Sequence, residues 1–277
     1  MHLKKGFYDL LLTSFLWGTI GIATQFFYIQ GANPYSLVLF RSISSAIISF
    51  FIIKIRNILN LKQIILGLFA AAFYETYIYT ITIDGAALSA VLLYTAPLWV
   101  FMLSKLLVKE STNAIKIISS ICIVIGLYII YEGTLNLMET LLGLMSGFTY
   151  ALLVSYSRYL QIRGSKEWEM IASQSIWSIP FVIILEIFSK INLPSIFGGI
   201  YLGIFATILP YFFFYRGMKK SDSGTATIIS ALEPVFTIIL AYIFLKESLN
   251  FVQFIGTIII LISVIINGMT FSTSGSN

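Results

Sequence analysis

Asp84–Ser111 reads DGAALSAVLLYTAPLWVFMLSKLLVKES, and Ser221–Ser248 reads SDSGTATIISALEPVFTIILAYIFLKES. At an offset of 137, Pro97 falls on Pro234 and Lys109-Glu110-Ser111 falls on Lys246-Glu247-Ser248. At an offset of 136, Gly67 falls on Gly203 and Tyr79 on Tyr215. Two apolar segments look alike by composition alone. A shared proline, a shared charged tripeptide and matched spacing go further and point to two related halves.

Working outward from these segments, ten apolar stretches fill the chain, at roughly 8–29, 34–53, 63–83, 86–107, 114–131, 140–160, 168–189, 195–215, 224–245 and 251–269. Each is long enough to cross the ~30 Å hydrocarbon core of a bilayer as a helix. Hydrophobic residues make up 58% of the chain and charged residues 10%, and the mean hydropathy is +0.93. Such a composition excludes an ordinary soluble domain. The runs are continuous rather than alternating, so helices, not barrel strands, satisfy their backbone. The expected fold is an all-α membrane protein of ten transmembrane helices. Residues 1–135 and 136–271 form two five-helix repeats, and 272–277 form a disordered polar tail. An odd number of spans per repeat turns the second repeat over, which gives inverted topology.

The basic residues set the orientation. Fourteen of the 17 Lys and Arg residues fall on one side, Lys190 and Lys246 on the other, and Arg41 within a span. This bias places both termini in the cytoplasm and the protein in the cell membrane. Lys246 breaks the pattern because its place is inherited from Lys109 through the repeat. The net charge of +5 reports topology and contact with an anionic leaflet; no loop is long enough to form a nucleic-acid-binding face. The first apolar run lacks a convincing cleavage site and precedes nine more spans, so it reads as a helix rather than a signal peptide. Cys122 is the single cysteine, which leaves no intrachain disulfide.

Ionisable residues inside the spans are the sharpest pointers to a site. An unpaired charge there costs about 2.5–3.5 kcal/mol on insertion scales, so each needs a partner, a cavity or a neutral form. Arg41 in the second span and Glu75 in the third lie at similar depth, roughly 10–12 Å below the outer surface. A cavity-facing pair and a structural salt bridge both fit these positions. Glu233 lies nearer the midplane, directly before Pro234, which removes a helical hydrogen bond and creates a polar, bendable point. It is a candidate to bind a cationic group or carry a coupling proton; a protonated Glu bonded to a neighbouring helix is the structural alternative. Asp9, Asp84, Glu186 and Asp222 lie near span ends and read as interfacial charges.

In the third span Ala71, Ala72, Glu75, Tyr79 and Thr82 share one helical face that suits a cavity lining. Tyr215 occupies the position matching Tyr79, close to Tyr211, and Tyr94 lies one turn before Pro97. Such tyrosines pack on an apolar substrate while their hydroxyls orient it, although interfacial belts and packing use the same residues. Gly18, Gly21, Gly143 and Gly147 fit close helix packing. The candidate substrate-binding residues are therefore Arg41, Glu75, Tyr79, Tyr94, Tyr211, Tyr215 and Glu233, with Pro97 and Pro234 as hinges.

His2 is the only histidine, so no His-based metal site or catalytic triad can be assembled. No GxSxG, Walker A loop or paired intramembrane aspartate is present. A membrane-embedded enzyme is disfavoured, and no metal or cofactor is expected. A channel or uniporter is the nearer alternative, although two inverted halves suit alternating access better than a pore.

Ten spans in two halves, each with a proline in its fourth helix and Lys-Glu-Ser after it, resemble the EamA type of the drug/metabolite transporter superfamily. Leu16-Trp17-Gly18, Leu232-Glu233-Pro234-Val235 and Phe244-Leu245-Lys246-Glu247 are the local matches. The resemblance covers almost the whole chain, and its short apolar motifs speak to fold more than to substrate. It implies ten helices around a central cavity and alternating access, chiefly for export of amino acids or other small metabolites. Tyr150-Ala151 stands where the pattern of the first half has Trp17-Gly18, a departure within the second half.

Overall fold

Asparagine and aspartate set the starts of the helices. Asn33, Asn60, Asn113, Asn136, Asn192 and Asp222 each accept a backbone N–H of the first turn with the side-chain oxygen, satisfying donors that a helix leaves free at its beginning. Pro34 and Pro194 sit in the first turns that follow two of these caps, where a missing N–H costs nothing. The computed structural model describes residues 5–131, 136–186, 189–240, 242 and 251–273.

Among the described residues there are ten long apolar helices and no strand. They are α1 (Gly6–Ile29), α2 (Pro34–Ile52), α3 (Leu61–Ile83), α4 (Leu88–Val108), α5 (Ala114–Ile130), α6 (Leu137–Ile162), α7 (Glu167–Glu186), α8 (Leu193–Lys219), α9 (Ser223–Leu240) and α10 (Phe251–Asn267). Eight have at least 18 residues, and α5 and the apolar stretch of α10 are shorter. Ile118, Ile121, Phe254 and Ile262 on α5 and α10 are exposed. Buried positions instead include many Ser and Thr, together with Arg41, Gln174 and Glu233. An apolar exterior, with polar and charged side chains held inside among apolar ones, is the arrangement a bilayer requires, and the chain is a multi-pass membrane protein. The tenth helix continues to Thr273, two residues into the expected tail. The second Lys-Glu-Ser, His2 and the last four residues lie outside the described residues.

Packing brings helices distant in sequence together. α3 packs along α6 and α7, α1 along α8 and α9, α2 against α7 and α8, and α5 against α10. Several of the helices around the centre are interrupted: α1 at Gly18–Thr19, α4 at Tyr94–Thr95, α7 at Trp177–Ser178 and α9 at Ala231–Leu232. α8 instead widens into a π-helical stretch at Leu202–Ile208. The breaks in α4 and α9 each fall just before a proline, Pro97 and Pro234, and that in α7 before Pro180. Proline cannot donate to the carbonyl four residues earlier, so each break releases a backbone acceptor inside the molecule.

Candidate functional site

The broken helices meet around a small central cavity lined by Trp17, Ile20, Arg41, Phe73, Tyr77, Leu93, Tyr150, Tyr211 and Glu233. Its volume is about 10 Å³, room for roughly one water. Aromatic rings close it. Trp17 meets Tyr150 edge-on at 6.0 Å and Tyr211 at 5.2 Å, while Phe73 stacks on Tyr77 at 5.5 Å. Nothing much larger than a water fits while these walls are in contact.

Glu233 is 4% exposed. Its Oε1 accepts from the Tyr77 hydroxyl at 2.8 Å, and its Oε2 lies 2.6 Å from the Tyr94 hydroxyl. The same Tyr94 oxygen lies 2.7 Å from the Ser230 carbonyl oxygen. Ser230 is four residues before Pro234, so its carbonyl is the acceptor that the proline releases. Tyr94 thus joins the break in α9 to the buried carboxyl beside it.

Arg41 is built in by glycine. A Cβ on Gly199 would lie 2.9 Å from the Arg41 amide nitrogen, and one on Gly203 would lie 2.8 Å from the Arg41 carbonyl oxygen. Only glycine at both positions lets α8 approach α2 this closely. One further turn along the same face places Thr207, whose Oγ1 accepts from Arg41 Nε at 2.8 Å. Arg41 Nη2 donates to the Ala206 carbonyl at 3.3 Å, and Trp17 Nε1 donates to the same oxygen at 3.2 Å. Ala206 lies four residues before Pro210, in a π-helical stretch whose backbone bonds run five residues back. The guanidinium lies 3.7 Å above the ring of Tyr74, a cation–π contact.

The expected Arg41–Glu75 pair does not form. Arg41 turns to α8, whereas both Glu75 carboxyl oxygens are buried without a hydrogen-bond partner. Glu186, expected as an interfacial charge, is itself buried and accepts from Ser36 at 2.6 Å. The expected cavity face of α3 is displaced as well. Glu75 and Tyr79 do not line the cavity, and Tyr79 stacks on Tyr35 at 6.0 Å. Phe73 and Tyr77 line it, because two residues of a helix turn through about 200° and reach the opposite face.

Arg41, Tyr211 and Glu233 come together at the cavity, with Tyr94 bonded to Glu233 behind the wall. Tyr215 lies away from it, bonded to Ser157 at 3.0 Å and Gln174 at 2.9 Å. Trp17, Phe73, Tyr77 and Tyr150 also line the cavity, and none of them is among the candidates that the sequence suggests. For Tyr150 the sequence does hold a signal: the repeat sets it against Trp17, and the two rings touch.

A second polar cluster ties the ends of α4, α6, α8 and α9 on the side richer in basic residues. Arg158 Nε pairs with Glu110 Oε1 at 2.6 Å, and its other nitrogens donate to Gln161 Oε1 and the carbonyls of Met218 and Ser221. Glu110 Oε2 accepts from the Ser223 amide at 3.1 Å. The glutamate of the first Lys-Glu-Ser thus fastens α4 to α6 and α9.

A model of the EamA-like transporter family matches residues 4–132 and 137–269. An "uncharacterized transporter" of Clostridium kluyveri is 25% identical over 291 residues, covering 96% of this chain and 93% of its own length. Transporter YdfC of Bacillus subtilis, also called uncharacterized, is 26% identical over 251 residues, covering 83% and 80%. The inner membrane transporter YicL of Salmonella typhimurium, described likewise, is 23% identical and covers 95% of each chain. A solved crystal structure with 16% identity superposes with a TM-score of 0.77 over 98% of this chain and 99% of its own, a likeness of fold.

Proposed function

The chain belongs to the EamA-like transporter family, and from that premise we propose that it is a secondary carrier that exports small metabolites such as amino acids by alternating access. The observation that carries this reading is the closed cavity of aromatic rings holding one buried cation and one buried carboxyl. A transport site near the midplane, formed where helices are discontinuous, is the recurrent plan of carriers with inverted repeats. Residues 1–135 and 136–271 are then the two inverted units, and both termini face the cytoplasm across the cell membrane. Pro97 and Pro234 act as hinges, and the Arg158–Glu110 cluster holds the cytoplasmic ends together while the cavity is closed.

Glu233 carries the coupling proton. The Tyr94 hydroxyl has one hydrogen and two neighbours that each accept, Glu233 Oε2 and the Ser230 carbonyl oxygen. With Glu233 ionised, Tyr94 donates to the carboxylate and leaves the Ser230 carbonyl bare. With Glu233 protonated, the carboxyl donates to Tyr94 and Tyr94 donates to Ser230, so every polar atom is paired. Protonation is thereby linked to the break in α9.

Counterflow in proteoliposomes tests the carrier reading. Labelled amino acids are offered outside a high internal pool of the same unlabelled compound. Accumulation of label that depends on the pool is the expected result. A uniform absence of accumulation, from protein shown to be folded, removes amino acids as cargo.

A further inference from the structure

We propose that Arg41 is the carboxylate-recognition group of the cavity, so that the cargo is an amphipathic zwitterion with its carboxylate on Arg41 and its apolar body among Trp17, Phe73 and Tyr150. This rests on the carrier reading above and states which chemistry that site accepts. Arg41 is 1% exposed, and its guanidinium is only partly used. Nε and Nη2 are held by Thr207 and Ala206, and the ring of Tyr74 covers one face. Nη1 has no hydrogen-bond partner, although the side chain lines the cavity. A buried, charged donor without an acceptor is costly to maintain. A carboxylate entering the cavity supplies that acceptor through a single charge-assisted hydrogen bond to Nη1.

Two features narrow the class further. The guanidinium is already fixed by α8, so binding orders little that is not ordered beforehand. The cavity wall holds one basic and one acidic side chain, Arg41 and Glu233. A zwitterion brings no net charge into this low-dielectric space, whereas a phosphate monoester brings close to two negative charges against a single guanidinium. The aromatic rings supply the contact for the rest of the molecule.

Matched pairs in the counterflow assay test this: leucine against leucinamide, and phenylalanine against phenylalaninamide, which differ in the carboxylate. The wild-type protein is expected to exchange the acids faster than the amides by about tenfold or more, the weight of one charge-assisted hydrogen bond. Arg41→Gln is expected to erase that preference, and Arg41→Lys to keep part of it. Amides exchanged as fast as acids by the wild type overturn the assignment and leave the carrier standing. An Arg41→Gln variant that slows acids and amides alike also overturns it, because that is the mark of a structural arginine. Should the variants fail to fold, the wild-type comparison decides alone. Absence of exchange for every compound, from folded protein, overturns the assignment together with amino-acid transport.

Discussion

Trp17 and Arg41, from two different helices, donate to one acceptor, the carbonyl oxygen of Ala206, at 3.2 and 3.3 Å. That oxygen lies near the end of the π-helical stretch, just before Pro210, which has no N–H to offer the backbone there. This part of the backbone of α8 has become the anchor for one aromatic and one basic side chain of the cavity. The π-helical stretch at Leu202–Ile208 lies at the same point, in keeping with the association of such stretches with functional sites.

Pro210→Ala restores an N–H at the end of the π-helical stretch, within reach of the carbonyls of Phe205 and Ala206. Arg41 and Trp17 then compete with the backbone for the oxygen. The expected outcome is a melting temperature equal to or above that of the wild type, with counterflow slowed severalfold. Thermal melting and transport measured on the same preparation check both halves of the expectation.

Tyr94→Phe removes the hydroxyl shared by Glu233 and the Ser230 carbonyl and leaves buried acceptors without a donor. A destabilisation of about 1–3 kcal/mol is expected. Tyr77→Phe removes a single bond to Glu233 Oε1 and should cost about 1 kcal/mol. The order of the two variants in a thermal or denaturant titration is the check; Tyr77→Phe as the more damaging change would contradict the shared role of Tyr94.

Glu233→Gln fixes the hydrogen-bond pattern of the protonated state, because an amide N–H donates to Tyr94 permanently. Folding is expected to be preserved and exchange to continue. Accumulation driven by a proton gradient should vanish, and the remaining exchange should lose its dependence on pH. Gradient-driven uptake and counterflow, run side by side across a pH series, separate these outcomes. Retention of wild-type accumulation would remove the proton from Glu233.

Arg158→Ala breaks a pair whose side chains are only 14% and 15% exposed and strands Glu110 among packed helix ends. A cost of about 2–3 kcal/mol is expected, toward the lower end for a broken buried pair because some solvent reaches it. Lys219→Ala removes a contact to Glu167 in which the lysine is 62% exposed, and should cost between zero and about 1 kcal/mol. Denaturant titration of the two variants compares them directly.

Part of the site is legible along the chain. Glu233 next to Pro234 is recognisable because a carboxyl at mid-span is costly without a purpose, and the released carbonyl follows from proline chemistry alone. Arg41 stands out for the same reason. Its partner does not: depth along two helices matches it with Glu75, but depth says nothing about the direction in which each side chain turns. The cavity-lining face of α3 is hidden because the other face, with Ala72, Glu75 and Tyr79, is half-buried and carries polar side chains of its own. Where one side of a helix packs on α6 and another on α7, hydropathy carries no contrast to show which side borders a cavity.

Hydropathy, charge asymmetry and the repeated segment are enough for the class of fold, because a bilayer allows few ways to satisfy a backbone and because basic residues resist crossing it. These are one-dimensional constraints, written span by span. The partners of Arg41, the two bonds of Glu233 and the closure of the cavity by Trp17, Phe73, Tyr77 and Tyr150 emerge only in three dimensions. They depend on how closely α2 and α8 approach at Gly199 and Gly203, and on which carbonyls the prolines leave open to side chains from other helices. Most of these contacts join residues more than a hundred positions apart, and no local pattern along the chain encodes the rotation of one helix against another.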